Sequence, residues 1–350
     1  MERQKDILLL FLLRDFCKNN GLEDKFSNIK EKLEEEHLLE KGIDDLSLVE
    51  SQKMIEYLPV KPLSKSTSNI NFYENIGSGS FGNVFKCFHK LDENDYAVKI
   101  VPVYNDTNKD KYMKEVQTMA LLDHPNIVRY YNSWIEKILP SNFDRGLLCL
   151  EEDYSSSTKI VEDYSITEFL FIQMELCYGN LSDYLAHQTK INYQKSNTVF
   201  VDIVQGLNYL HKMNIIHRDI KPSNIMFDKF GKAKIGDFGM SIKYDEKGCI
   251  SGRKTENEYG TYNYLAPETI ENNEYSIYSD IYSLGIILFE LLSTFSTFME
   301  RQEKINKLKN EGIVDEKFSE KETLFIKILT NKDKSKRPTT EEILKKILPK

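Results

Sequence analysis

The run His217-Arg218-Asp219-Ile220-Lys221-Pro222-Ser223-Asn224, with Asp237-Phe238-Gly239 beginning thirteen residues after Asn224, decides how this chain is read. It sets one carboxylate, Asp219, beside two further oxygen-bearing side chains, Asn224 and Asp237, on neighbouring turns of chain. A carboxylate next to a hydroxyl can accept its proton, while amide and carboxylate oxygens suit a hard divalent cation such as magnesium. Phosphoryl transfer from ATP needs that combination, a positioned hydroxyl and neutralised phosphate oxygens, with little covalent chemistry from protein. A lone His-Arg-Asp triplet is common by chance, but the whole string at this spacing is not.

Upstream, Ile76 precedes Gly77-Ser78-Gly79-Ser80-Phe81-Gly82-Asn83-Val84, a G-x-G-x-x-G-x-V string. The same spacing marks dinucleotide folds, where it leads from strand to helix. Here it lies between two strand-like runs and is expected to form a hairpin whose backbone covers phosphates, since glycine has no Cβ to hold a ligand away. Tyr96-Ala97-Val98-Lys99 then brings a lysine onto the next strand, and Glu115 on the following helix is its expected partner. Together these motifs resemble those of eukaryotic protein kinases.

That resemblance implies an α+β fold of two lobes, the smaller with five strands and one main helix, the larger helical, and it implies ATP and magnesium as cofactors. Asp219 becomes the catalytic base, Asn224 and Asp237 the metal ligands, and Lys221 a cation for the phosphoryl group in transit, as in kinases acting on serine or threonine. Lys99 serves the α- and β-phosphates. Val84, Ala97 and Met226 enclose the adenine, Glu175 and Cys177 offer hinge backbone groups, and Met174 stands behind the nucleotide. Glu268 is expected to pair with Arg337, and Asp280 to anchor the catalytic-loop backbone. Arg218, a costly charge to bury alone, implies a phosphate on the activation segment, with Thr255, Ser251 and Thr261 as candidates. Thr261 also falls where such kinases line the site with a threonine.

Composition bounds the rest. The chain has 350 residues, 40% hydrophobic and 29% charged, in the ordinary globular range. A net charge of −8 argues against a direct nucleic-acid site, which needs a concentrated basic face. Five cysteines scattered without a C-x-x-C pair read as reduced thiols. The apolar run Ile7–Leu13 is too short for a membrane span, which takes about 20 residues, and lacks a cleavage site. A cytoplasmic protein is expected.

Residues 1–65 read as a helical N-terminal extension, with Leu9, Leu12, Leu13 and Phe16, then Phe26, Ile29 and Leu33, at helical spacing. Either a packing cap or a regulatory module fits that pattern. Strands are expected over Asn71–Gly77, Asn83–His89, Tyr96–Val101, Ile127–Ile135 and Phe169–Glu175, with a helix near Lys109–Leu122. Helices are then expected over Leu181–Gln188, Asn197–Lys212, Asp280–Ser293, Phe298–Asn310, Lys321–Thr330 and Thr340–Ile347, so the kinase-like domain spans 70–348. Residues 138–168 hold seven acidic and two basic side chains, and they read as an insert between adjacent strands.

The resemblance narrows at His124-Pro125-Asn126-Ile127-Val128-Arg129-Tyr130-Tyr131-Asn132-Ser133-Trp134-Ile135-Glu136, at Ile172–Cys177, at Asp280–Leu292 and at Thr297-Phe298-Met299-Glu300-Arg301. These stretches are similar to the kinases of the alpha subunit of eukaryotic translation initiation factor 2, which also carry an insert at this place. It implies that subunit as the protein substrate, phosphorylated on serine to lower translation initiation under stress. It further implies substrate docking at Thr297 and a homodimer through the small lobe. Where that family places its activating threonine stands Glu256, with Thr255 one residue earlier. His37, on a charged stretch, reads as solvated, and no haem is expected. Two other readings remain open: a cell-cycle inhibitory kinase related to Wee1, and a catalytically silent kinase-fold scaffold.

Overall fold

Alternation of apolar and polar side chains draws five segments between Ile70 and Glu175 into a sheet. In a computed structural model, residues 69–347 are described except 80–81, 104–105, 139–166, 245–248, 252–260 and 315–317. The helical reading of residues 1–65, the body of the insert, Ser80, Phe81, Thr255 and Glu256 lie outside those residues. Of Ser78, Gly79, Ser251 and Thr261 only the backbone is described.

Strands β1 (Ile70–Gly79), β2 (Gly82–His89), β3 (Asn94–Val103), β4 (Tyr130–Ile138) and β5 (Thr167–Glu175) form one sheet in the order β1-β2-β3-β5-β4, each pair antiparallel. β3 is central and buried continuously from Ala97 onward, as a strand covered on both faces must be. One face gathers Phe72, Phe85, Cys87, Val98, Ile100, Phe169 and Phe171, with Trp134 stacked on Phe171 at 5.2 Å between ring centres. The other face, through Val101, Leu170 and Ile172, meets Val116 and Met119 of helix α1 (Asp106–Met119) and continues into the main core.

The larger lobe is built on α3 (Tyr193–Lys212) and α5 (Ile277–Leu291), preceded and separated by the short α2 (Leu181–Ala186) and α4 (Pro267–Asn272). Then come α6 (Phe298–Glu311), α7 (Glu320–Leu329) and α8 (Thr340–Ile347). α5 is buried along almost its whole length, so apolar residues occur on every side of it rather than in one stripe, and its polar Ser279, Asp280, Ser283 and Glu290 are buried with them. Gly206, mid-helix in α3, is required by close approach: a Cβ there would lie 2.8 Å from the Asn126 carbonyl oxygen. That contact brings α3 against the small-lobe loop between α1 and β4. The Val128 amide donates to the Ile235 carbonyl and the Ile235 amide to the Asn126 carbonyl, both at 2.9 Å.

Several boundaries differ from the sequence reading. β4 starts at Tyr130, because Ile127 bridges to Ile235 in the large lobe instead of joining the sheet. β4 and β5 extend into the acidic segment, pairing Ile138 with Thr167 and Lys137 with Glu168. α3 begins at Tyr193, not Asn197, because the Asn192 side chain caps it by accepting from the Lys195 amide. α5 begins at Ile277, not Asp280, on a capping box between Ser276 and Ser279. Four short antiparallel partners were not legible: β6 (Ile215–Ile216) with β9 (Ile242–Lys243), and β7 (Ile225–Phe227) with β8 (Ala233–Ile235). A further pair joins β10 (Cys249–Ser251) to β11 (Glu274–Ser276).

Candidate active site

The catalytic-loop run sits between β6 and β7, and its backbone is held from below by α5. Asp280 is almost fully buried; one of its oxygens accepts from the His217 amide and His211 Nε2, the other from the Arg218 amide, at 2.9–3.0 Å. Arg218 has φ 72°, a left-handed backbone that an arginine adopts only when its surroundings impose it. The buried His217 ring accepts from the Asp219 amide at Nδ1 (3.3 Å), so Nε2 carries the proton and donates to the Gly236 carbonyl (3.0 Å). The Gly236 amide in turn donates to the Asn224 carbonyl (2.9 Å). These bonds lock the loop carrying Asp219 and Asn224 to the strand end carrying Asp237.

Asp219 is the centre of this cluster. Its Oδ2 accepts from Lys221 Nζ and from Asn224 Nδ2, both at 2.9 Å, and Asn224 Nδ2 also reaches the Asp219 carbonyl at 2.8 Å. Its other oxygen, Oδ1, is buried and has no hydrogen-bond partner among the described residues. A buried carboxylate oxygen without a donor is costly and therefore uncommon.

On the small-lobe side, Lys99 is buried in β3 and reaches Glu115 of α1 at 2.8 Å and Asp237 at 3.5 Å. Burial alone would push the Lys99 ammonium down, but the Glu115 and Asp237 carboxylates outweigh it and hold its pKa above the ordinary lysine value. Burial acts against the Asp237 carboxylate too, yet Lys99, with the Gly239 amide and Lys221, holds it below the usual range. Both groups are therefore charged near neutral pH. Asp237 adopts φ 56°, the other left-handed residue of the site.

The glycine run closes the β1–β2 hairpin from both strands, with Gly79 paired to Gly82 and Ser78 to Asn83. Gly82 has φ +125°, and a Cβ there would stand 2.3 Å from the Ile100 carbonyl oxygen, so no other residue fits. Ile76 lies within a bulge of β1 and is exposed. Val84 is paired with Lys99, and Ala97 with Met174, across neighbouring strands. Met226 on β7 is half-buried and bridges to Asn180. At the end of β5 the Glu175 side chain meets Lys234 of β8 at 2.9 Å, a tie between lobes that the sequence did not suggest. Cys87 and Cys177 are free thiols; burial pushes the Cys177 thiol up to about 12, which makes it unreactive.

With this geometry in view, comparison with known families is decisive: the protein kinase domain profile matches residues 70–348. The chain belongs to the protein kinase family. The kinase is 34% identical, over 81% of its length, to the interferon-induced, double-stranded RNA-activated protein kinase of Mus musculus, of which it covers 51%. It is 30% identical, over 99% of its length, to eIF-2-alpha kinase GCN2 of Arabidopsis thaliana, covering 32% of that protein. It is also 31% identical, over 82% of its length, to the membrane-associated tyrosine- and threonine-specific cdc2-inhibitory kinase wee-1.1 of Caenorhabditis elegans, covering 56% of it. The kinase thus spans about half the length of such relatives, or less. It is an enzyme of the family that uses ATP and a divalent metal.

Beyond the cleft, the kinase places the remaining sequence candidates as follows. Ser251 lies on β10, one step from Ile250, whose strand partner Tyr275 packs under the Arg218 guanidinium at 4.0 Å. Arg218 Nε is buried without a hydrogen-bond partner among the described residues. Thr261 opens a 3-10 turn, Thr261–Tyr264. Thr297 caps α6, its hydroxyl accepting from the Glu300 amide at 3.1 Å. The expected Glu268–Arg337 pair is present and two-pronged. Residues that sequence reading missed include Asn263, Tyr264, Glu290 and Arg301, a polar cluster next to that turn. No spacing signal links them, since they meet only through the fold.

Among the described residues, no group of three or more His, Cys, Asp or Glu side chains could hold a metal alone, and no helix is long and apolar enough to cross a membrane.

Proposed function

We propose that this kinase transfers the γ-phosphoryl group of ATP to a serine of the alpha subunit of eukaryotic translation initiation factor 2, lowering translation initiation under stress, in the cytoplasm. The observation that carries the chemistry is the unpartnered Asp219 Oδ1. Lys221 and Asn224 occupy Oδ2, so Oδ1 is the atom left to accept a substrate hydroxyl proton. Lys221, tethered 2.9 Å from that carboxylate, is placed to offset charge on the phosphoryl group in transit.

Asn224 and Asp237 fit magnesium: both are oxygen donors, and the Asn224 amide nitrogen is committed to Asp219, which leaves its oxygen as the ligand atom. When bound, ATP with magnesium supplies the electrophilic phosphorus and neutralises the phosphate oxygens. Lys99, fixed by Glu115, holds the α- and β-phosphates, and the backbone of Gly77–Val84 covers them. Ile76, Val84, Ala97 and Met226 enclose the adenine, and the Glu175 and Cys177 backbone meets its edge. A phosphate on Thr255, Ser251 or Thr261 would answer the orphaned Arg218 Nε.

The substrate assignment draws on relatives named for that factor and on α6. Its first turn, just after Thr297, exposes Phe298 and Met299 at 67% and 80%. Two adjacent exposed apolar residues beside a cap suit docking of a folded protein. Homodimerisation through the small lobe belongs to the same reading, supported by exposed Tyr131 and Ile135 on edge strand β4. The cdc2-inhibitory relative supports a second reading, in which tyrosine is also an acceptor.

Incubation of the purified kinase with magnesium-ATP and the isolated alpha subunit, followed by phosphoamino-acid analysis, separates the two. Phosphoserine on the subunit is the expected product. Phosphotyrosine on a peptide copied from the inhibitory segment of a cyclin-dependent kinase, with an unlabelled alpha subunit, would replace the first reading with the second.

A further inference from the structure

Helix α6 grips the turn Thr261–Tyr264 at three consecutive residues. Lys309 Nζ donates to the Tyr262 carbonyl (2.7 Å), Asn263 Nδ2 donates to Gln302 Oε1 (2.6 Å), and Arg301 Nη2 donates to the Tyr264 hydroxyl (2.7 Å). Arg301 Nε also donates to one oxygen of Glu290 on α5 (2.5 Å), and the Tyr264 hydroxyl donates to the other (2.8 Å). Glu290 is fully buried, and burial pushes its carboxyl up; Arg301 is the cation that opposes that shift, with the Tyr264 hydroxyl beside it. α6 buries only Ile305 and Leu308, a thin apolar anchor, so these polar links set its position. Arg301 lies one helical turn from Phe298, on the end of the helix that carries the exposed apolar pair.

We propose that Arg301 is a positioning residue for transfer onto docked protein substrate: through Tyr264 and Glu290 it fixes α6 in register with residues 262–264. A protein held on the first turn of α6 then presents its hydroxyl to Asp219 from a single, preset direction. A short peptide, which cannot span from α6 to the cleft, gains nothing from that register. The inference rests on the reading of α6 as the docking helix given above.

The test compares kcat and KM on the isolated alpha subunit with those on a short peptide copied from its phosphorylated region. Wild type, Arg301→Gln, and the paired Glu290→Gln with Arg301→Gln are measured. The paired variant leaves no unpaired buried charge, so its folding is not in question. Both variants are expected to lose about tenfold more kcat on the subunit than on the peptide, with KM for ATP unchanged, because small misplacements are enough to slow transfer on this scale. Equal losses on subunit and peptide would mean a merely structural role and would overturn the proposal. Absence of transfer to the subunit by wild type would remove the docking reading, and this inference with it.

Discussion

Asp219→Asn is expected to lower kcat about 10³-fold while leaving nucleotide affinity within about threefold of wild type, since a positioned base contributes about 10²–10⁴. The geometry gives a specific reason. Lys221 Nζ and Asn224 Nδ2 are both donors and both face Oδ2. The introduced amide must turn its oxygen toward them, which puts its NH2 group where Oδ1 stood. A donor would then point at the substrate hydroxyl in place of an acceptor, so the variant loses the base and misorients the nucleophile together. Lys99, Glu115 and Asp237 lie outside that exchange and keep their contacts. Steady-state transfer kinetics with an independent nucleotide titration would check this. A loss shared equally between kcat and nucleotide affinity would mean that Asp219 acts in binding.

The second large effect concerns folding. Arg337 is 3% exposed and uses all five of its N–H donors. Nε donates to the Asn331 carbonyl, Nη1 to Glu268 Oε1 (2.7 Å) and the Tyr278 carbonyl, and Nη2 to Glu268 Oε2 (2.8 Å) and the Lys332 carbonyl. The guanidinium also lies over the Tyr282 ring at 4.9 Å. Arg337→Ala would leave Glu268 as a buried, uncompensated anion at the start of α4, directly after the activation segment. Breaking such a pair costs about 3–5 kcal/mol, which lowers Tm by roughly 10 °C in a domain of this size. Arg337→Lys is expected to recover little of this, because an ammonium cannot reproduce the two parallel bonds. Thermal unfolding checks both; an unchanged midpoint for Arg337→Ala would show that the pair contributes nothing net.

How far the sequence carried the reading depended on the range over which each signal acts. The five-stranded sheet was legible because period-two alternation and glycine punctuation are local, as at Phe85, Cys87 and Gly82. The Asp219–Asn224–Asp237 grouping was legible because its spacing is short and its chemistry restrictive. Helix starts slipped by three or four residues where the caps, Asn192 and the Ser276–Ser279 pair, lacked the acidic or amide third position of a standard box. Two- and three-residue strands such as β6 and β9 have no period to detect. The Glu175–Lys234 tie and the Arg301–Tyr264–Glu290 cluster were invisible for a different reason. Their members stand 11 to 59 positions apart, and nothing but the packing of α5 and α6 brings the second set together.

The central claim is that Asp219, Asn224 and Asp237 converge on one metal-bound nucleotide, and calorimetric titration with ATP, with and without magnesium, tests it most directly. Wild type and Asp219→Asn should both bind more tightly with magnesium than without it, whereas Asp237→Asn should lose that gain. Magnesium-independent binding by wild type, or an undiminished magnesium gain in Asp237→Asn, would contradict the account.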